Sequence, residues 1–221
     1  MVIMSGYVNN VVRYAIRHYC SNRNSYYAMM LGTFGVPLLF GYASQSAVTA
    51  AMLGGAIALF DLLFVLHLST VGMRSKPSFI LENTLPLSVA ERYTFIMLNS
   101  TVVATLLFAL CFIPAVAIMK TLLPPIASEE FLFSDLVGDL RLSVGTLATH
   151  AILLVVNLTA RMRVVMNYLA ALGLMFLGQL LMEYYIAAEH IVEAKMWISA
   201  IVAIAGWVSG YFILRYKDIK L

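Results

Sequence analysis

The side chains able to do chemistry in this chain are few and scattered. His18, His67, His150 and His190 occur singly, without the paired spacing a bound metal needs. Cys20 falls in a basic leading segment and Cys111 in the middle of an apolar run, so neither a disulfide between them nor a redox or metal role is expected. No G-x-S-x-G, C-x-x-C or G-x-x-x-x-G-K-[ST] pattern occurs, so the chain has no nucleophile elbow and no phosphate loop of its own. It is not expected to be an enzyme. What remains is Asp61 and His150, each about half-way along a long apolar run. A lone carboxylate at that depth of a bilayer costs at least a few kcal/mol unless paired, hydrated or protonated. A partner is therefore expected, and His150, which shares a helix face with Thr146 and Asn157, is at the right depth. Two uses stay open: a structural polar contact between packed helices, and a proton pathway.

Residues 82–93, ENTLPLSVAERY, are the most polar interruption in an otherwise apolar chain. Ser88 with Glu91 three places on forms a capping box, in which the hydroxyl accepts from an orphan amide and the carboxylate reaches back. A helix is predicted from Val89. Pro86 cannot donate and pushes Leu85 out of the α region, so the chain must turn before that helix begins. The pattern reads as an elbow that ends one helix and starts another.

These elements belong to a membrane protein. Of 221 residues, 62% are hydrophobic and 11% charged, where a soluble domain carries about a quarter charged residues. Apolar runs at residues 26–43, 47–73, 93–119, 142–159, 164–187 and 196–214 are each long enough to cross a bilayer. The predicted fold is thus an all-α polytopic membrane protein with six spans. Arg13, Arg17, Arg23, Arg74, Lys76, Arg92, Arg161, Arg163, Arg215, Lys217 and Lys220 fall on one side of those spans, against Lys120, Arg141 and Lys195 on the other. The positive-inside rule makes the first side cytoplasmic, with both termini there. Residues 1–25 lack the apolar core of a secretory signal. Val8, Val11, Val12, Ala15, Ile16 and Tyr19 recur at helical spacing opposite Asn10, Arg13 and Arg17, as in an amphipathic helix lying in the headgroup plane; a disordered basic tail is the alternative. The outer loop, residues 120–141, carries Pro124, Pro125 and the run Phe131, Leu132, Phe133, which fits either a segment resting on the interface or a plain acidic loop. Gly206 and Gly210 form a G-x-x-x-G pair, and Ala47, Ala51, Gly55 with Ala50, Gly54, Ala58 make small-residue tracks, all suited to close helix contact within one chain or between copies. Pro37 and Pro114 fall inside spans, where bends are expected. The net charge of +3 makes no case for nucleic acid.

Leu85, Pro86, Ser88 and Glu91, giving L-P-x-S-x-x-E and followed by Arg92 and Tyr93, resemble the cytoplasmic segment between the second and third spans of type-2 ABC exporter permeases. Six spans, cytoplasmic termini and an amphipathic leading helix are similar to that family as well. The resemblance implies a permease subunit of a bacterial inner membrane, paired with a second permease as a homodimer or heterodimer. It also implies separate cytoplasmic ATP-binding subunits that hold ATP and Mg and meet this chain at residues 74–92. Glu82, Leu85, Pro86, Ser88, Glu91 and Arg92 would be the coupling residues, with Glu91 and Arg92 as surface charges facing the partner. The chain departs from the family in its short outer loop, residues 188–195. The alternatives are a self-powered secondary transporter using Asp61 and His150, and a non-transporting scaffold or immunity protein.

The charge asymmetry generates a test of orientation. In a background lacking Cys20 and Cys111, Ser75→Cys and Lys217→Cys should be shielded from an impermeant thiol reagent in intact cells, while Ser128→Cys is labelled. Labelling of all three to one level would remove this topology.

Overall fold

The computed structural model describes residues 2–44, 47–73, 87–122, 140–159 and 190–219, with isolated helical positions at 169, 173, 177, 178 and 184. Among the described residues the chain is all-helical. Glu82, Leu85 and Pro86, most of the outer loop, and nearly all of the run 164–187 lie outside them. The chain divides into two compact units, Met1–Val65 with Thr94–Asp139, and Leu66–Tyr93 with Leu140–Leu221.

In the first unit, α1 runs without interruption over Val2–Ser44. The sequence leads one to expect a separate interfacial helix ending near residue 25, and the difference has a physical reason. Residues 21–25, SNRNS, are weak helix formers but include neither Gly nor Pro, so nothing forces a break. Asn22 also turns its amide back to the His18 carbonyl at 2.9 Å, and the next turn is held by Tyr26, whose hydroxyl accepts from Asn99 Nδ2 at 2.8 Å. Pro37 lies within α1.

α2, Ala47–Thr70, begins three residues after α1 ends, and a 3-10 turn, Val71–Met73, closes it. Thr33 of α1 meets Asp61 of α2 at comparable distances from that connection, so the two helices are antiparallel. Beyond the elbow, α3, Val89–Leu98, passes through a π-helical turn, Asn99–Val103, into α4, Ala104–Leu122. Within it Ser100 and Thr101 donate their hydroxyls to the carbonyls of Ile96 and Met97, four residues back, at 2.6 and 2.5 Å. Within this unit α4 runs parallel to α1: Tyr7 bonds Thr94, Tyr26 bonds Asn99, and Gly41 abuts Met119, so numbering ascends along both.

The second unit centres on α5, Leu140–Thr159, and α6, Ile191–Ile219. Ala148 and Ala151 pack against Ala203. Gly206 faces Ala151 and Gly210 faces Leu154, so this pair is also parallel and the G-x-x-x-G motif is used inside the chain.

Among the described residues two stretches, Val89–Met119 and Glu193–Lys217, are by length and composition apolar enough to cross a membrane. In a soluble protein such helices form the core, yet here each carries an open apolar stripe. Leu98, Val102, Leu106, Leu110 and Ile113 line one, and Trp197, Ile201, Ile204, Val208 and Phe212 the other, all about half exposed or more. Water would penalise such surface at about 25 cal/mol per Å². Hydrocarbon does not.

The closest approach sets a graded test. A Cβ on Gly206 would stand 2.8 Å from the Ala151 Cβ and 3.1 Å from its backbone carbonyl, which cannot yield, whereas one on Gly210 meets the mobile tip of Leu154 at 3.0 Å. Gly206→Ala should therefore destabilise by about 1–3 kcal/mol and Gly210→Ala by clearly less, read as midpoints of denaturant titrations in micelles. The reverse order would contradict this packing.

Candidate functional site

The elbow is built from its first residues upward. Ser88 N–H donates to Glu91 Oε2 at 2.7 Å, the Ser88 hydroxyl donates to the same oxygen at 2.9 Å, and the Glu91 amide donates to Ser88 Oγ at 3.2 Å. The capping box is formed, and the first helical bond, Arg92 N–H to the Ser88 carbonyl at 3.1 Å, follows it. The helix begins at Val89, where the sequence places it.

The charges behave differently from expectation. Glu91 is 6% exposed and Arg92 2% exposed, while Ser88 is exposed. Glu91 spends its carboxylate on the cap and Arg92 lies among the most deeply buried side chains of the chain. Neither is a surface charge awaiting a partner. Glu91 fixes the elbow from within through its cap.

From this capped turn a polar connection leads inward. Tyr93 donates its hydroxyl to the Trp207 backbone carbonyl at 2.5 Å, and its ring meets that of Tyr211 edge-on with centroids 5.5 Å apart. The Trp207 indole N–H in turn donates to His150 Nδ1 at 3.2 Å. An indole can only donate, so Nδ1 is the acceptor and the neutral ring carries its proton on Nε2. His150 is completely buried on α5. Asn157, two turns on and equally buried, returns its amide to the Leu153 carbonyl at 3.0 Å.

Asp61 belongs to the first unit. It is 1% exposed, and the Thr33 hydroxyl donates to its Oδ2 at 2.7 Å, with the Met29 carbonyl also 3.0 Å from that hydroxyl. The sequence points to His150 as the partner of Asp61; the partners found are Thr33 for Asp61 and Trp207 for His150, each within its own unit.

A further cluster surrounds the π-turn. Asn99 accepts from the Tyr19 hydroxyl at 2.5 Å while donating to Tyr26, and His18 Nε2 lies 3.1 Å from the Tyr26 hydroxyl. Tyr14 and His18 meet the Phe95 ring edge-on at 4.7 and 5.0 Å. Burial pushes His18 down to about 4, so it is neutral at pH 7. Sequence reasoning missed this cluster, Thr33 and Trp207. A signal was present in the seven-residue spacing of Tyr7 to Tyr14 and of Tyr19 to Tyr26, which marks a helix stripe. Val8, Val12 and Ile16, the apolar face expected to lie in the headgroup plane, are about half exposed. Among the described residues no three His, Cys, Asp or Glu side chains converge on a metal-sized site.

No protein-family profile matches the chain, and no curated protein or solved structure matches it either.

The Thr33–Asp61 bond is open to a cycle. Thr33→Val removes the hydroxyl without changing shape and leaves the carboxylate buried, which should cost about 1–3 kcal/mol. Thr33→Val with Asp61→Leu removes both polar groups and should lie nearer wild type than the sum of the single changes. Additive losses in folded yield and unfolding midpoint would mean that the two side chains do not depend on each other.

Proposed function

We propose that this chain is the membrane-spanning permease subunit of an ATP-driven exporter of the type-2 ABC class, with six spans and both termini in the cytoplasm of a bacterial inner membrane. The observation that carries the reading is the elbow: a formed capping box at Ser88 and Glu91, set in L-P-x-S-x-x-E, with the following charges turned inward. An elbow held this rigidly at the start of a membrane-crossing helix suits a lever better than a tether. A chain without a phosphate loop needs such a lever if a separate subunit is to drive it.

Helix directions support the six-span count. Parallel helices such as α1 with α4, and α5 with α6, require an odd number of intervening passes. α2 supplies one. The apolar run 164–187 is the length for the other. In this reading Glu82, Leu85 and Pro86 form the contact with the ATPase, Glu91 and Arg92 stiffen what lies behind it, and a second permease copy completes the path.

One observation favours a second reading. A buried carboxylate held by a single hydroxyl, as Asp61 is by Thr33, is the kind of group a proton-driven transporter uses. Such a transporter would work without any ATPase.

The deciding experiment is co-purification of a cytoplasmic ATPase with the tagged chain from its native host, followed by ATP turnover and export in inverted vesicles. Ser88→Ala, costing about 0.5–2 kcal/mol of cap, should retain the ATPase yet lower export per ATP hydrolysed. Glu82→Lys with Leu85→Asp should weaken the association itself. Transport by the chain alone that follows the proton gradient would replace the exporter reading with the second one.

A further inference from the structure

Three residues in the second unit are linked in series, Tyr93 to the Trp207 backbone and the Trp207 side chain to His150, in an arrangement that packing alone does not require. Tyr93 lies one turn and a half beyond the cap, so it moves with the capped turn as one body. It holds α6 at two adjacent points, the Trp207 carbonyl and the Tyr211 ring. Trp207 points the other way, with its N–H on His150 of α5 and its ring 6.4 Å from the imidazole at 67°. At the same level Gly206 abuts Ala151, the neighbour of His150. A single turn of α6 is thus grasped by the elbow on one side and by α5 on the other.

We propose that Tyr93, Trp207 and His150 form a hydrogen-bonded strut that carries displacement of the capped elbow through α6 into α5, with Trp207 as its central positioning residue. In the transport reading this strut is the path by which the elbow reaches the interior of the membrane domain, and that meaning rests on the transport reading; the strut itself does not. Its parts have distinct duties. The Tyr93 hydroxyl bonds to backbone, so it follows α6 whatever the residue at 207. The indole N–H adds a directional bond to the small-residue packing that already holds α6 against α5. Helix termini fray cooperatively when a cap is lost, and fraying of the first turn would take Tyr93 off its acceptor.

The chain contains two tryptophans. Trp197→Phe, at an exposed position, leaves Trp207 as the single emitter in the purified chain in lipid nanodiscs, with no ATPase or nucleotide present. Ser88→Ala in that background should shift the emission maximum and lifetime of Trp207. With Tyr93→Phe already present, the same Ser88→Ala change should produce no further shift. The second leg is read by hydrogen exchange on peptides from α5: Ser88→Ala should speed exchange around His150, and Trp207→Phe should abolish that response while the Tyr93 bond to the backbone persists. Ser88 is exposed, so its loss leaves the packed interior intact; should Tyr93→Phe fail to fold, the Trp207→Phe arm still decides. Emission that ignores the cap, or a response equal with and without the Tyr93 hydroxyl, overturns the first leg. Exchange in α5 that responds to the cap equally with and without the indole overturns the second. Failure of an ATPase to co-purify would remove the transport reading and leave these outcomes standing, whereas their failure would leave the permease reading intact.

Discussion

A polar group enclosed by apolar surroundings has to be satisfied by its own chain, and this constraint governs where every notable contact in the protein is found. Asp61 takes the Thr33 hydroxyl, His150 the Trp207 indole, Asn99 two tyrosine hydroxyls, and Glu91 the opening amide of its own helix. Each would otherwise cost about 1–3 kcal/mol as an unmet group, and more if charged. Enclosure away from water strengthens each of these bonds and raises the cost of leaving it unmade.

Van der Waals contact supplies the rest of the cohesion. In a bilayer, apolar stripes gain nothing from being hidden, so attraction between two helices there has to come from close approach rather than from exclusion of water. That is why small residues, Ala148, Ala151, Ala203 and Gly206, line the seam while Ile201, Ile204 and Val208 look outward. The apolar residues are sorted here by size, not by hydrophobicity.

Local features were legible in the sequence and long-range ones were not. The capping box needs only residues three apart, so the start of α3 at Val89 followed from sequence alone. The G-x-x-x-G pair announced a close contact, but its partner, Ala151, lies more than fifty residues away and left no mark in the pattern. Thr33 was hidden because a threonine in an apolar helix ordinarily bonds its own backbone, and Thr33 does that as well. The continuity of α1 was missed because SNRNS has the composition of a linker, while Asn99, which bonds Tyr19 and Tyr26 on either side of it, comes from a distant part of the chain. Arg92 was misjudged on the same ground: charge argues for a surface, and only the fold reveals a buried arginine.

The parallel run of α5 and α6 has an electrostatic consequence. Two helices side by side in one direction bring like ends of their macrodipoles together, about half a positive charge at each N-terminus, in a medium that screens poorly. Counter-charge is expected at that end, and the sequence provides it. Glu193 occupies the first turn of α6, Glu189 stands just ahead of that helix, and Asp135 and Asp139 just ahead of α5. Glu193, in that first turn, sits at the positive end of α6 and offsets part of it, a role set by the backbone rather than by any apolar contact along the seam.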